Sequence, residues 1–568
     1  MRSKKFEGRI VPFLLAFATA SPASAEWRRV DSPNFVVVGD SSVRSLRGIA
    51  TRFELFHESL RRVLGAATTT PAVPTVVVVF ASDEAFTPYK PVYRGRARAV
   101  GGYAASGNDV NYIVMRDAGD SNDRLIFHEY THTVVANAVA RAPVWFNEGL
   151  AEFYSTFAVT DGGRRVQIGR PIVEHLALLH GSTRVPLHEL LKVDPASPLY
   201  NENDVAGIFY AESWALTHML ISAEPSHVPQ LAEYLRRVND GADEIEAWDQ
   251  VLGTARTENE LRRYLTRPIF NTAVIDFPEK VEKVAIAEVP VSAADTAALL
   301  ALLQLRRAGA GAAAKLLEPA LKQEPSNPLA NAIMAQVELS RNDGLAAAKR
   351  LMALERPSDW FAAYRIALSL TQAIDLERDM KDGRAVVERV TGLLEQVDHT
   401  HSALPNVLAS LARVELYGDA MPSPAARDNI ARARTLAPGR IDYALLQAQI
   451  FAEGRDFVRA RAVVGPLMTP SYPESVRNSA RKLMAGLVDL EKALTAPARA
   501  STTGTRSIEV PDGEADRPRT TGRAGRFVPA YRPLLAGEQR LDGMLERIDC
   551  RVKAGRVYCP LGGRDGPA

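Results

Sequence analysis

His128-Glu129-Tyr130-Thr131-His132, followed closely by Trp145-Phe146-Asn147-Glu148-Gly149-Leu150-Ala151-Glu152, is the stretch from which the rest of this chain is read. Residues four apart lie on one face of an α-helix, so the imidazoles of His128 and His132 reach the same point in space. Glu129 projects toward that side and can take a proton from a water held there. This is ligand chemistry for Zn²⁺, which needs a third protein ligand and, in a catalytic site, an open fourth position. Glu148 and Glu152 are the candidates. They are i and i+4 on the next helical segment, share a face, and either reaches a metal between the helices. The one that does not ligate can hold a histidine ring by its free N–H.

The pattern is specific. With ten histidines in 568 residues, a chance His-Glu-x-x-His arises on the order of once in a hundred chains of this composition. Leu125, Ile126, Phe127, Thr133, Val134, Val135 and Ala138 around it are mostly apolar, which describes a largely buried helix where unpaired charge is costly. Asp120-Ser121-Asn122 supply N-cap residues, and Pro143 closes the segment. Phe146 to Thr156 then reads as a second helix, with Phe146, Leu150, Phe153 and Phe157 as its apolar face.

The two motifs together resemble the gluzincin superfamily of zinc peptidases, which includes the aminopeptidase-N-type enzymes and the bacterial peptidase-MA-like proteins. The resemblance covers about residues 30 to 270 and implies that Glu148, the glutamate of Asn-Glu-Gly, is the third zinc ligand. Fifteen residues separate His132 from Glu148, a spacing that matches the compact peptidase-MA-like version better than the aminopeptidases. Asn34-Phe35-Val36-Val37-Val38 and Val110-Asn111-Tyr112-Ile113-Val114 are similar to that family's strands. Phe209-Tyr210-Ala211-Glu212-Ser213-Trp214-Ala215-Leu216 resembles the helix that carries a tyrosine facing the active site. The resemblance implies that Tyr210 donates its hydroxyl to the oxyanion of the tetrahedral intermediate, which lowers a barrier by some kcal/mol in a dry cleft. His218, on the same helix, reads as a packed or surface residue.

One string of the aminopeptidases is missing. Their Gly-x-Met-Glu-Asn strand binds a free amino group, and here Gly101-Gly102-Tyr103-Ala104-Ala105-Ser106-Gly107 stands in roughly its place without a carboxylate. Internal cleavage is therefore expected over removal of N-terminal residues. The paired glycines would let a substrate backbone approach an edge strand at Asn111 to Val114.

Arg2, Lys4 and Lys5 precede an apolar run from Ile10 to Ala20, and Ala23-Ser24-Ala25 reads as a cleavage site. This predicts a bacterial-type secretory signal over 1–25 and a periplasmic or secreted protein, with no transmembrane segment after signal cleavage. A net charge of +2 with 24% charged residues describes an ordinary surface, and no basic stripe with interleaved aromatics points to nucleic acid. The two cysteines, Cys550 and Cys559, flank a predicted hairpin turning at Ala554-Gly555. They would sit opposite each other within disulfide reach.

The expected architecture is an α+β zincin domain over 26–275, an all-α helical-repeat solenoid over 276–495, a linker over 496–530 and a small β element over 531–568. In the first part Phe35 to Val38 and Thr75 to Phe80 read as strands, Val43 to Leu64 as an amphipathic helix, and Ala206 to Ser222 and Gln230 to Val238 as helices. In the second, Pro325, Pro357, Pro405, Pro438 and Pro473 recur at intervals of 32, 48, 33 and 35 residues. Asn327 to Leu354 and Ile441 to Met468 read as helix-turn-helix units that resemble tetratricopeptide repeats, which bind peptides or partner proteins on a concave face.

Two readings follow. In the first the chain is an exported zinc metallopeptidase: His128, His132 and Glu148 hold one Zn²⁺, Glu129 is the general base, Tyr210 stabilises the oxyanion, and the repeats position a peptide or protein substrate. In the second it is a silent zincin scaffold whose repeats bind a partner protein. Glu129 and Tyr210 separate them, because a purely structural zinc has no use for a general base beside it.

Overall fold

The computed structural model describes residues 26–495, with short interruptions at 65–70, 94–95, 98–99, 118–122, 195–196, 202, 278–284, 378–382, 403, 419 and 470–471, and also residues 551–553 and 556–558. The expected signal, linker, N-cap residues Asp120-Ser121-Asn122 and both Cys550 and Cys559 lie outside the described residues. The chain is mostly helical. It forms two units that divide between Glu491 and Lys492.

The first unit is built on a mixed sheet. β1 (Arg28–Asp31), β2 (Phe35–Gly39) and β3 (Thr75–Phe80) come first, then a small hairpin of β4 (Val92–Tyr93) and β5 (Arg96–Ala97), then β6 (Gly102–Ala105) and β7 (Asn111–Arg116). β8 (Ala158–Thr160), β9 (Arg165–Ile168) and β10 (Ala273–Asp276) form a separate antiparallel sheet, and β11 (Ala287–Val289) returns to the first. The main order is β11-β1-β2-β3-β7-β6. β2, β3 and β7 are parallel. They are buried on both faces, which is why they read as unbroken apolar runs rather than alternating ones.

β7 is not the edge expected at Asn111 to Val114. β6 pairs with it antiparallel, with Tyr103 opposite Val114 and Ala104 opposite Ile113, and takes the outer position. The glycine there makes room for a helix of the chain itself: a Cβ on Gly102 would lie 2.7 Å from Ile126 Cδ1.

Helices longer than one turn are numbered. α1 (Val43–Leu64), α2 (Asp123–Ala138), α3 (Val144–Ser155), α4 (Val173–Gly181), α5 (Asn203–Ser222), α6 (His227–Asn239), α7 (Glu244–Val251) and α8 (Thr254–Leu265) belong to the N-terminal half. Phe35, Val37, Val77, Val79, Ile113 and Met115 share one core with residues of α1, α2, α3 and α5. Val36, Val38, Val76, Val78, Tyr112 and Val114 point to the other face and pack with helices after residue 293.

Those later helices form antiparallel pairs: α9 (Ala293–Ala308) with α10 (Ala310–Gln323), α11 (Pro328–Leu339) with α12 (Gly344–Met352), α13 (Trp360–Leu376) with α14 (Gly383–Thr400), α15 (Pro405–Val414) with α16 (Pro424–Leu436), and α17 (Ile441–Glu453) with α18 (Phe457–Val464). α19 (Glu474–Thr495) follows. Side-chain caps start many of them: Ser292 and Asp295 form a capping box, and Asn327, Asp343, Asp359, Ser423 and Asp456 each accept a backbone N–H of the first turn. The recurring prolines mark the entry to α11, α13, α15, α17 and α19. The 48-residue interval holds the long pair of α13 and α14, of 17 and 18 residues.

The division expected at 275/276 falls inside this unit, since β11 lies beyond it and completes the main sheet against β1. In the second unit β12 (Arg551–Lys553) pairs antiparallel with β13 (Arg556–Tyr558); the expected turn at Ala554-Gly555 lies outside the described residues.

Candidate metal centre

α2 is held by the residues between its histidines. Tyr130 is buried among Phe35, Phe53 and Phe56, and its hydroxyl lies 3.2 Å from His57 Nδ1. Burial lowers that imidazole to about 4, so it is neutral near pH 7 and pairs with the phenol without charge. With Phe127, Tyr130 and Val134 turned into the core, helical periodicity turns His128, Glu129 and His132 the other way.

α3 crosses beside it and is fixed by α5. Gly149 is the contact: a Cβ there would lie 2.2 Å from the Ser213 carbonyl oxygen and 2.3 Å from Thr217 Oγ1. This close approach brings the Asn147 to Glu152 turn of α3 and the Tyr210 end of α5 to the same histidines.

The result is a three-atom face. His128 Nε2 and His132 Nε2 are 3.1 Å apart, and Glu148 Oε2 is 3.4 Å from each. Tetrahedral bonds of about 2.0–2.1 Å place neighbouring ligand atoms roughly 3.3 Å apart, so the triangle has the edge lengths of a zinc tetrahedron. Glu148 is buried and its Oε2 has no hydrogen-bond partner among the described residues. A buried carboxylate oxygen left without a donor is expensive unless a cation satisfies it. His128, His132 and Glu148 therefore fit a metal ion.

Each of the three has an outer partner. Glu152 Oε1 is 3.4 Å from His128 Nδ1, Asn147 Oδ1 is 3.1 Å from His132 Nδ1, and the Tyr200 hydroxyl donates to Glu148 Oε1 at 2.9 Å. Glu152 faces away from the triangle, 3.0 Å from Arg124 Nη2 and 3.3 Å from His175 Nε2 of α4. Burial alone would raise both carboxyls. Instead His128 and His132 hold Glu148 at about 2, and His175, His128 and Arg124 hold Glu152 at about 2. Burial opposes a charged His132, yet Glu148, Asn147 and Glu129 raise it above its ordinary value. The site is built to hold positive charge.

Glu129 is half-buried, and its carboxylate makes no hydrogen bond or ion pair among the described residues. Tyr210 is half-buried with its ring 6.5 Å from that of His128 and 6.2 Å from that of Tyr200. Burial, reinforced by the Glu148 carboxylate, lifts its hydroxyl to about 12, so it remains a donor at neutral pH. His218 is fully buried, with Nδ1 2.6 Å from the Tyr264 hydroxyl of α8 and Nε2 2.8 Å from the Gly169 carbonyl; it braces α5. Tyr200, Asn147, His175 and Arg124 also belong to the site. Asn147 lies inside the motif, but Tyr200, on the one-turn helix Pro198–Asn201, had no periodic signal to mark it.

No family model matches this chain, and no curated protein matches it. Among solved structures it is similar to MamA (41-end) from Desulfovibrio magneticus RS-1, at 15% identity over 37% of this chain and 100% of that one, with a TM-score of 0.24. It is also similar to pilF of Pseudomonas aeruginosa, at 18% identity over 36% of this chain and 93% of that one, again with a TM-score of 0.24.

Proposed function

We propose that the chain is a zinc-dependent peptidase of the gluzincin, peptidase-MA-like kind, in which His128, His132 and Glu148 would hold the metal. The observation that carries this reading is the triangle of 3.1, 3.4 and 3.4 Å edges next to an uncommitted Glu129. A zinc ion held by these three residues would supply Lewis acidity to the cleft. Glu129 takes the proton from the attacking water and passes it to the leaving amine. Tyr210 donates its hydroxyl to the charge that develops on the carbonyl oxygen. The lack of an amine-binding carboxylate in Gly101 to Gly107 favours internal cleavage. The next acidic residue along the chain, Asp109, is already engaged by Arg306 and Arg365.

The scaffold reading is favoured by one separate feature. A groove of about 820 Å³ runs along α9, α11, α13, α15 and α17, lined by Gln336, Leu368, Gln372, Ser410, Arg413 and Leu446 among others. Amides, hydroxyls and apolar side chains mixed in this way suit an extended partner peptide. Cleavage of a diverse peptide library by the zinc-loaded chain separates the two. The expected outcome is internal cuts that disappear in Glu129→Gln, a loss of about 10²–10⁴-fold, with zinc retained. Zinc binding without cuts would favour the scaffold, and release of single N-terminal residues would make the enzyme an aminopeptidase.

A further inference from the structure

We infer that Tyr200 is a positioning residue for the metal's carboxylate ligand: by occupying Glu148 Oε1 it keeps Glu148 to a single metal-facing oxygen and preserves an open coordination position. The inference rests on the metal-centre reading above and adds a residue from outside both motif helices.

The two oxygens of Glu148 differ in what they touch. Oε2 stands 3.4 Å from both imidazole nitrogens with no protein donor, whereas Oε1 accepts the Tyr200 hydroxyl at 2.9 Å. A carboxylate can bind a cation through one oxygen or both. Two-oxygen binding would fill the position that a catalytic zinc must leave open. A donor on Oε1 ties up the lone pair and fixes the plane of the carboxylate, so swinging Oε1 onto the metal would cost a buried hydrogen bond to a charged group. Nothing else among the described residues donates to Oε1.

Tyr200 is itself held in place. Its ring packs edge-on against Phe209 at 5.8 Å and lies beside Tyr210 at 6.2 Å. Tyr210, the other phenol of the site, lies beside Tyr200 and makes no hydrogen bond to a Glu148 oxygen among the described residues. One phenol is thus assigned to the ligand and the other to the cleft.

Cobalt substitution tests this without reference to turnover. Four-coordinate Co²⁺ absorbs more strongly in the visible than five-coordinate Co²⁺, so the cobalt form of Tyr200→Phe should show weaker bands than the wild-type cobalt form. Chelator competition should show metal affinity about 10–100-fold lower, the usual cost of losing an outer partner. Tyr210→Phe should leave spectrum and affinity unchanged. Equal melting temperatures of the metal-free wild type and Tyr200→Phe establish that the fold is intact. If they differ, the two cobalt spectra are compared at a temperature at which both metal-free chains are fully folded by circular dichroism. A Tyr200→Phe cobalt spectrum identical to wild type overturns the inference, with or without a change in affinity. A wild-type chain that takes up no stoichiometric metal overturns the metal centre itself.

Discussion

Glu148 and Glu152 stand one helical turn apart and differ in what their oxygens touch. Glu148 offers an unpartnered oxygen to two imidazole nitrogens, while Glu152 reaches the outer nitrogen of His128 and is pinned by Arg124. Glu148→Ala should therefore lose most of its zinc on dialysis. Glu152→Ala should keep stoichiometric zinc with affinity about 10–100-fold weaker. Metal loss in Glu152→Ala alone would reverse the two roles. Further along α5, Glu212 is almost fully buried and accepts one backbone N–H, from Val185 at 2.7 Å. Burial raises its carboxyl from 4.5 to about 7. Between those values the folded state binds more protons than the unfolded one, so stability falls as pH rises through this window and is level above it. The full effect is about 3 kcal/mol at roughly 1.4 kcal/mol per unit. Glu212→Gln keeps the acceptor for Val185, and denaturant unfolding from pH 5 to 8 should lose that slope. A slope unchanged in the variant would assign it to another group.

At the scale of elements, the crossing of α3 and α5 decides whether Glu148 and Tyr210 reach the same place. Gly149→Ala gains about 1 kcal/mol of helix propensity. It also drives a Cβ to 2.2 Å from the Ser213 carbonyl, which is backbone and cannot rotate away. The clash wins, at about 1–3 kcal/mol net. The melting temperature should fall, and zinc affinity with it, since α3 carries Glu148; a melting temperature at or above wild type would show that the two helices can separate without cost. The same scale shows where periodicity was enough and where it was not. α1 was legible because an amphipathic stripe spans it from Val43 to Leu64. The helix pairs were legible because a proline precedes or opens α11, α13, α15, α17 and α19. The sheet edge is β6 rather than Asn111 to Val114, and Gly102-Tyr103-Ala104-Ala105 gives no sign of it, having neither β-branched residues nor alternation; only pairing with β7 makes it a strand.

For the whole of the first unit, the helical pairs and the sheet share one core. Val76, Val78, Tyr112 and Val114 are buried against residues such as Leu302, Ile333 and Ile366. At the β6–β7 turn, Asp109 bonds Arg306 at 2.8 Å and the fully buried Arg365 at 2.6 Å, and its carbonyl accepts the Tyr364 hydroxyl at 2.6 Å. Burial would raise Asp109, but the two guanidinium groups hold it at about 2. Removing one partner of a buried pair leaves a bare charge, so Asp109→Ala should cost about 3–5 kcal/mol in denaturant unfolding. A loss below about 1 kcal/mol would place this pair among ordinary surface contacts. At the other end, Gly439 N–H donates to the Asn137 carbonyl at 2.8 Å, closing the last turn of α2. The repeats thus hold the end of the histidine helix and the β6–β7 turn.

What the sequence determined by itself was the local and the periodic. Four-residue spacing put His128 and His132 on one helix face, β-branched runs marked β2 and β3, and prolines counted out the helix pairs, because each is a property of neighbours along the chain. Tertiary structure alone decided which of two equivalent glutamates turns an empty oxygen to the histidines. It alone brought Tyr200 from 52 residues away onto Glu148, and it alone covered the far face of the sheet with helices that composition had set apart. Those outcomes depend on which buried surfaces meet, and that pairing joins residues far apart in the chain, so neither local spacing nor periodicity marks it.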